Sequence, residues 1–400
     1  MQSGDGFDRR SISRHNTSAT RLQEGWTWES YICGLANCRI AAKVVSEHRS
    51  QNDRSRSERI RGRGVKGSKR FMSAKTRVYI TVDTETSMGG AWRNAGPPLP
   101  LARTVFGENH SGTHGIPLIM NILEEHGFTA TFFVEVFCSY VLGLEEVGKV
   151  CDSIQKRGHD VQLHVHPVFR FYWEYLNGSP PRERDLMFQL PPDEQRRLLQ
   201  DAVALFRQLT GRTPKAFRAG CYGASEETLV ALRENGVWID SSYNLTYLDK
   251  TCGFRYRPLN APQLIEGVYE FPVTNFNWGR RGTYMPLEIS AVSVFEILTT
   301  IRSLQDRGCK DVVLVFHSFS FLKRRTARFE KVRPDRIVIQ RFRKLCRELS
   351  SMRDELEVSV LGNLDLTACF SAQPQVIPAL GWLRPALRKA VQGIDRIPWV

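Results

Sequence analysis

The 400-residue sequence lacks any long run of apolar residues. No stretch approaches the roughly 20 consecutive apolar residues that a membrane-spanning helix needs. The first residues also lack the apolar segment of a secretory signal. The sequence therefore predicts no transmembrane segment and favours a cytoplasmic location.

Paired or regularly spaced cysteines are also missing. Disulfide-stabilised domains are dense in cysteines, usually of even number, and zinc fingers combine two closely spaced Cys or His pairs. Here they are odd in number and scattered, which predicts reduced thiols and argues against a disulfide framework. The nine residues are Cys33, Cys38, Cys138, Cys151, Cys221, Cys252, Cys309, Cys346 and Cys369.

Positive charge is present but unevenly distributed. The formal net charge is +14, and residues 1–71 hold 15 Lys and Arg against 7 Asp and Glu, leaving 41 against 35 for the remainder. More than half of the excess lies in the first fifth of the chain. The mildly basic remainder predicts no nucleic-acid binding by the folded part and leaves peripheral membrane contact open.

Residues 1–71 are rich in Ser, Arg and Gly and show neither helical nor strand periodicity. We expect a disordered basic extension. Three interpretations stay open: an arm that binds nucleic acid or acidic lipid, a solvated tail, or a segment upstream of a native start at Met72.

Residues 72–362 alternate short β-branched runs with longer amphipathic segments, a pattern typical of parallel strands joined by helices. Seven or eight such units favour an α/β barrel over an open sheet. The aromatic-rich segment 169–192 is interpreted as a long loop. We expect strands near 77–83, 129–135, 160–165, 215–219, 237–240, 268–273, 311–317 and 356–361. We expect helices near 114–127, 144–157, 193–210, 225–235, 290–307 and 335–352.

Residues 363–400 depart from this alternation. Apolar residues from Leu380 to Val391 have the spacing of one helical face, although Pro385 interrupts it. A helix docked on the barrel is favoured over one that lies on a membrane surface.

Two carboxylates follow the first predicted strand, in Asp83-Thr84-Glu85. Reactive groups of a barrel cluster where its strands end, and residues two apart in an extended segment share a face. Both carboxylates can therefore enter one pocket. Taken alone, such a pair is more often a capping or salt-bridging feature.

Two histidines end the third predicted strand, in His164-Val165-His166. They also share a face, and neutral imidazole nitrogens are good ligands for zinc or a similar divalent ion. Asp83 or Glu85 would complete a set of three protein ligands, leaving a position open for water. His159 has the opposite phase and is interpreted as structural.

Arg218 and His317 lie at the ends of two further predicted strands. Arg218 can orient a carboxylate and keep it ionised, and the Gly-flanked turn at Cys221 and Tyr222 can offer N–H groups to an oxyanion. His317 ends an apolar strand, where an imidazole is well placed as a general acid. A surface salt bridge and a structural histidine are equally good local explanations.

Taken in this order, the segments resemble the polysaccharide deacetylase family over roughly residues 77–320. The resemblance rests on Glu124–Val134, Arg157–His164, Asp240–Tyr243 and Tyr269–Val273, together with the strand that ends at His317. It implies a distorted barrel of seven to eight βα units. It also implies hydrolysis of the acetamido group of an N-acetylated sugar or glycan with a divalent metal, Zn²⁺.

The chain departs from the family in two motifs. The family has adjacent aspartates as base and ligand, whereas Thr84 stands in the second place here. We assign the base role to Asp83 and the ligand role to Glu85, and the reverse assignment stays open. The second histidine of the family lies four residues after the first, where this chain has Val168, so His166 must substitute.

The remaining roles follow from the same resemblance. Arg218 matches the arginine that orients the base, the backbone near Cys221 and Tyr222 matches the oxyanion site, and His317 matches the general acid. Glu85, His164 and His166 would hold the metal. Two alternatives remain, a hydrolase of another non-peptide amide and a catalytically silent sugar-binding protein.

Overall fold

The computed structural model describes residues 75–94, 96–279, 282–324, 326, 328–366 and 372–380. The predicted disordered extension, 1–71, lies outside these residues. Most of the predicted C-terminal helix does too. The domain boundaries at residues 71/72 and 362/363 stay predictions.

All eight predicted strands are present among the described residues, together with seven further short strands that were not predicted. They are β1 (Thr76–Thr84), β2 (Glu108–Asn109), β3 (Gly112–Thr113), β4 (Thr131–Glu135), β5 (Asp160–Val165), β6 (Ala216–Ala219), β7 (Ile239–Asp240), β8 (Gln263–Ile265), β9 (Val268–Glu270), β10 (Asn275–Asn277), β11 (Tyr284–Pro286), β12 (Asp311–His317), β13 (Leu322–Arg324), β14 (Val332–Pro334) and β15 (Leu356–Ser359).

The helices lie mainly between the strands of the central sheet. They are α1 (Ala91–Asn94), α2 (Leu101–Thr104), α3 (Ile116–Glu124), α4 (Ser139–Leu142), α5 (Leu144–Lys156), α6 (Pro167–Leu176), α7 (Pro192–Thr210), α8 (Glu226–Glu234), α9 (Val294–Gln305) and α10 (Arg336–Ser351). None of these described helices combines the length and apolar character needed to cross a membrane.

The central sheet has the strand order β12-β1-β4-β5-β6-β7-β9-β8. All neighbours are parallel except β8 and β9. The register places Asp83 beside His317 and His164 beside Arg218. The carboxyl ends of these strands therefore meet at one edge, where the predicted site residues lie.

The partners of β1 change along its length. Its first half pairs with β15 and its second half with β4, while β12 follows it throughout. Irregular backbone pairs with the edge of β12 that faces away from β1. There Thr274 N–H donates to Val313 O at 3.1 Å and Ile289 N–H donates to Val315 O at 3.1 Å. These features confirm the predicted distorted barrel.

An apolar cluster lies on the same face of β1 as Asp83 and reaches the site at Phe133, which pairs with Asp83. A strand that is buried on both faces has a nearly continuous apolar sequence, and β12 is an example. Residues four apart on a strand share a face, so Tyr79 lies on the same side of β1 as Asp83. The buried members of this cluster are Tyr79, Phe133, Ala216, Ile239, Phe271, Val313 and Leu361.

The interpretation of residues 169–192 as one long loop is wrong. Its first part belongs to α6, with Phe169, Phe171 and Tyr172 buried on one face. A short 3₁₀ turn, Met187–Gln189, follows later. Aromatic residues lower intrinsic helix propensity, but burial of an amphipathic face outweighs that preference.

Candidate metal and catalytic site

Four of the predicted site residues lie together at the carboxyl ends of three strands. Asp83 ends the apolar part of β1, with Glu85 just beyond it, while His164 is in β5 and His317 ends β12. All four side chains are almost completely buried. Strand pairing therefore brings together residues that are up to 234 positions apart.

Glu85, His164 and His166 converge on a single point. Glu85 Oε2 lies 3.1 Å from His164 Nε2 and 2.6 Å from His166 Nε2. One ligand atom from each residue lies within 4.8 Å of the others. Two imidazoles and one carboxylate with an open position form the donor set of a catalytic zinc site.

The protein fixes which nitrogen of His164 faces this point. His164 Nδ1 lies 2.7 Å from the backbone oxygen of Arg218, which can only accept, so Nδ1 donates. In the neutral ring Nε2 then carries the lone pair. Such a contact on the far nitrogen orients the ring for a metal.

His166 is constrained on both nitrogens and on one face. Its Nδ1 lies 2.7 Å from Asp185 Oδ2, opposite the Glu85 contact. Gly220 packs against the ring so closely that an added Cβ would lie under 3.0 Å from ring atoms. Only glycine fits this position without displacing the imidazole.

Charge and burial at the triad are those of a site that fits a cation. Burial raises the pKa of Glu85, but the positive charge of His166 and the hydrogen bonds from His164 and His166 hold that pKa below its ordinary value. Burial lowers the pKa of His166, yet Asp185 and Glu85 bring it well above its ordinary value. Glu85 Oε1 is buried without a hydrogen-bond partner. A divalent ion would give this orphaned oxygen a ligand role.

Asp83 lies beside the triad in a separate network. Arg218 donates from one guanidinium nitrogen to Asp83 Oδ1 at 2.6 Å and to Thr81 Oγ1 at 2.9 Å. Its other nitrogens donate to the backbone oxygen and hydroxyl of Ser241. Arg218 is fully buried, and its guanidinium lies over the Phe133 ring. The arginine therefore fixes one oxygen of Asp83 and leaves the other towards His317.

His317 stands between the two carboxylates. Its Nε2 lies 4.0 Å from Asp83 Oδ2 and 3.8 Å from Glu85 Oε1. These distances exceed those of direct hydrogen bonds, leaving space for a small group between the three side chains. The structure thus brings His317 to the predicted site.

The turn Gly220–Gly223 carries two non-glycine residues with left-handed backbones. Cys221 has φ 54° and Tyr222 has φ 60°. Such conformations cost about 1–3 kcal/mol each and cluster at functional sites. Tyr222 is buried and stacks on Tyr247 with ring centroids 5.4 Å apart.

A second group of potential ligands overlaps the first. His166, Asp185 and Cys221 also bring one ligand atom each within 4.8 Å of the others. Burial, followed by the negative charges of Asp185 and Glu85, raises the pKa of the Cys221 thiol well above its ordinary value. A metal prefers the thiolate, so this group is the weaker candidate.

Sequence reasoning missed Asp185 and two of the partners of Arg218, Thr81 and Ser241. Asp185 ends the run Arg182–Asp185, whose alternating charges are typical of a solvated loop. No spacing relates it to His166. Ser241 lies in the predicted Asp240–Tyr243 motif, but its contact with Arg218 depends on pairing between β6 and β7.

The family model described as polysaccharide deacetylase matches residues 104–238. This match confirms the resemblance to that family which the motifs indicated. It includes His164, His166 and Arg218, whereas Asp83, Glu85 and His317 lie outside the matched segment. No curated protein matches the chain.

Several solved structures are similar to this chain at low identity. A candidate polysaccharide deacetylase from Mycobacterium smegmatis is 18% identical, with a TM-score of 0.45, covering 82% of this chain and 94% of that one. A peptidoglycan deacetylase from Bacillus subtilis is 9% identical, with a TM-score of 0.35, covering 81% and 98%. A CE4 family pseudoenzyme from Bacillus anthracis is 11% identical, with a TM-score of 0.37, covering 72% and 64%.

Proposed function

We propose that this chain is a metal-dependent carbohydrate N-deacetylase that removes an acetyl group from an amino sugar in a polysaccharide or glycan precursor. The observation that carries the proposal is the convergence of Glu85, His164 and His166 next to the Asp83–Arg218 pair. The family match supports the reaction class.

Glu85, His164 and His166 would hold the ion, for which Zn²⁺ suits the donor set. When bound, a divalent metal lowers the pKa of water to about 7 and polarises a carbonyl oxygen. The burial of all three ligands supports this assignment, because it excludes competing solvent from the donor atoms.

Asp83 is the proposed general base. Both nearby histidines contact Glu85 Oε2. Asp83 instead bonds Arg218 through one oxygen and keeps its second oxygen towards the space beside His317. This division favours Glu85 as ligand and Asp83 as the group that accepts a proton from the attacking water.

His317 is the proposed general acid, and the turn at Cys221 and Tyr222 the proposed oxyanion site. His317 Nε2 faces the same space as Asp83 Oδ2, so it can donate a proton to the departing amine after attack. The N–H groups of the turn would stabilise negative charge on the carbonyl oxygen.

Acetate release tests the proposal. Zinc-loaded protein is incubated with N-acetylglucosamine oligomers, lipid- and nucleotide-linked N-acetyl sugars, and N-formyl analogues. We expect acetate from at least one N-acetyl substrate and none from the Asp83→Asn variant. Formate release without acetate would instead indicate a hydrolase of another amide. Binding of a sugar without any turnover would indicate a silent sugar-binding protein.

A further inference from the structure

The carboxylate of Asp185 contacts the proposed metal-binding residues from outside the triad. Its Oδ2 lies 2.7 Å from His166 Nδ1, on the side of the ring opposite Glu85. His166 is thus held between two carboxylates, of which only one faces the point where the triad converges.

Two other chain segments fix Asp185 itself. Val168 N–H, in the first turn of α6, donates to Asp185 Oδ1 at 3.4 Å. The Cys221 thiol donates to Asp185 Oδ2 at 3.6 Å. The carboxylate therefore joins the start of α6 to the turn Gly220–Gly223, with the His166 ring between them.

We propose that Asp185 is a positioning residue for the metal site, acting through His166. This proposal rests on the proposed function, since it takes the triad as the metal site. Asp185 accepts the Nδ1 hydrogen of His166, so that Nε2 presents its lone pair to the cation, and Gly220 prevents the ring from turning away. A carboxylate on the far nitrogen also makes a histidine a more basic ligand.

The position of His166 explains why such a residue is needed. His164 lies within β5, and the backbone oxygen of Arg218 on neighbouring β6 orients its ring. His166 lies just beyond β5, where the chain turns into α6, and the acceptor at its Nδ1 is a carboxylate instead of a strand carbonyl. Asp185 provides that acceptor.

Zinc binding to metal-free protein tests the inference without relying on activity. Competition with a chromophoric chelator measures the Zn²⁺ affinity of wild-type protein, Asp185→Asn and Asp185→Ala. We expect affinity to fall on the order of 10-fold for the asparagine variant, which keeps an acceptor oxygen, and about 100-fold for alanine. Glu183→Gln, two residues away and exposed, is the matched control and should bind as the wild type does.

The positioning role differs from a merely structural role in two results. Under the positioning role, the metal-free variants should unfold at the wild-type temperature, and Asp185→Asn should retain part of the zinc affinity that Asp185→Ala loses. Wild-type affinity in either Asp185 variant would overturn the inference, as would equal losses in both. If wild-type protein binds zinc but releases no acetate, the proposed function fails while this inference stands.

Discussion

The backbone oxygen of Arg218 lies 2.7 Å from Nδ1 of His164, while the guanidinium of the same arginine lies 2.6 Å from Asp83. One residue of β6 thus contacts both a proposed metal ligand and the proposed base. Its backbone oxygen accepts a hydrogen bond from the proposed ligand, His164, and its side chain donates one to the proposed base, Asp83. Side-chain substitution should therefore separate metal binding from turnover.

Arg218→Lys should keep zinc affinity near the wild-type value, because the carbonyl that orients His164 remains. Turnover should fall roughly 100-fold, since one ammonium cannot hold Asp83, Thr81 and Ser241 in the geometry of the guanidinium. Zinc titration and acetate release measure the two effects. Arg233→Lys, at the surface end of α8, is the control. An equal loss of affinity and turnover in Arg218→Lys would contradict this division.

Removing the side-chain charge of Arg218 should cost stability as well. Arg218→Met leaves Asp83 buried without its ionic partner, which typically costs about 3–5 kcal/mol of unfolding free energy. Urea unfolding of metal-free protein measures this difference. An Arg218→Met/Asp83→Asn double variant should recover part of the loss. No recovery would show that the pair does not interact energetically as proposed.

Substitutions within the site should separate ligand from base. His164→Ala should abolish tight zinc binding, whereas Asp83→Asn should retain zinc and lose turnover by about 10²–10⁴-fold. His159→Ala is the matched histidine control, because His159 Nδ1 accepts a hydrogen bond from Ala130 N–H and lies outside the triad. Metal content and kcat report both effects, and full activity in either site variant would refute the role given to that residue.

Gly220→Ala should weaken zinc binding, because the added methyl group overlaps the His166 ring. We expect a loss on the order of 10-fold or more, similar to other changes that disturb the orientation of a metal ligand. Gly148→Ala is the control: its methyl group meets only Leu209, at 4.0 Å, and alanine favours the α5 helix by about 0.5–1 kcal/mol. Unchanged affinity in Gly220→Ala would show that the ring is not confined there.

The buried carboxyl pair Asp240 and Glu270 predicts a pH dependence of stability. Burial and the negative charge of Asp240 raise the pKa of Glu270 well above its ordinary 4.5, while burial also raises the pKa of Asp240. The folded pair keeps a proton that the unfolded chain releases above pH 4.5. The contribution of this proton to the free energy of unfolding is therefore fully present below pH 4.5. It is lost as the pH rises towards the higher pKa of the folded pair.

Glu270→Gln should remove this dependence, because an amide keeps its hydrogens at every pH. Measured by urea unfolding between pH 5 and pH 8, wild-type stability should decline relative to the variant by up to about 1.4 kcal/mol per pH unit. The exposed Glu266→Gln variant should follow the wild type. Parallel curves for wild type and Glu270→Gln would show that the pair holds no such proton.

The grouping of the site residues was predictable because polar pairs follow two of the predicted strands. Asp83 and Glu85 share a phase at the end of one predicted strand, and His164 and His166 share a phase at the end of another. Parallel strands place their carboxyl ends at the same edge of the barrel, so the two pairs were expected to lie close together. Local patterning thus grouped His164 and His166 with Asp83 and Glu85, whereas the choice of Glu85 as the third ligand came from the family resemblance.

Contacts between distant loops could not be predicted. Asp185 meets His166 only because α6 and the following segment fold back over the strand ends, and no spacing in the chain encodes that return. The closure near Val313 and Val315 likewise uses irregular backbone instead of a strand pair. Helix α6 was missed because its aromatic residues favour a helix only when one face is buried.

X-ray absorption at the zinc edge tests the central claim most directly, because the two overlapping ligand groups differ in sulfur. The triad of Glu85, His164 and His166 predicts only nitrogen and oxygen neighbours at about 2.0–2.2 Å. A sulfur neighbour at about 2.3 Å would place the ion with Cys221 and Asp185 and contradict the account.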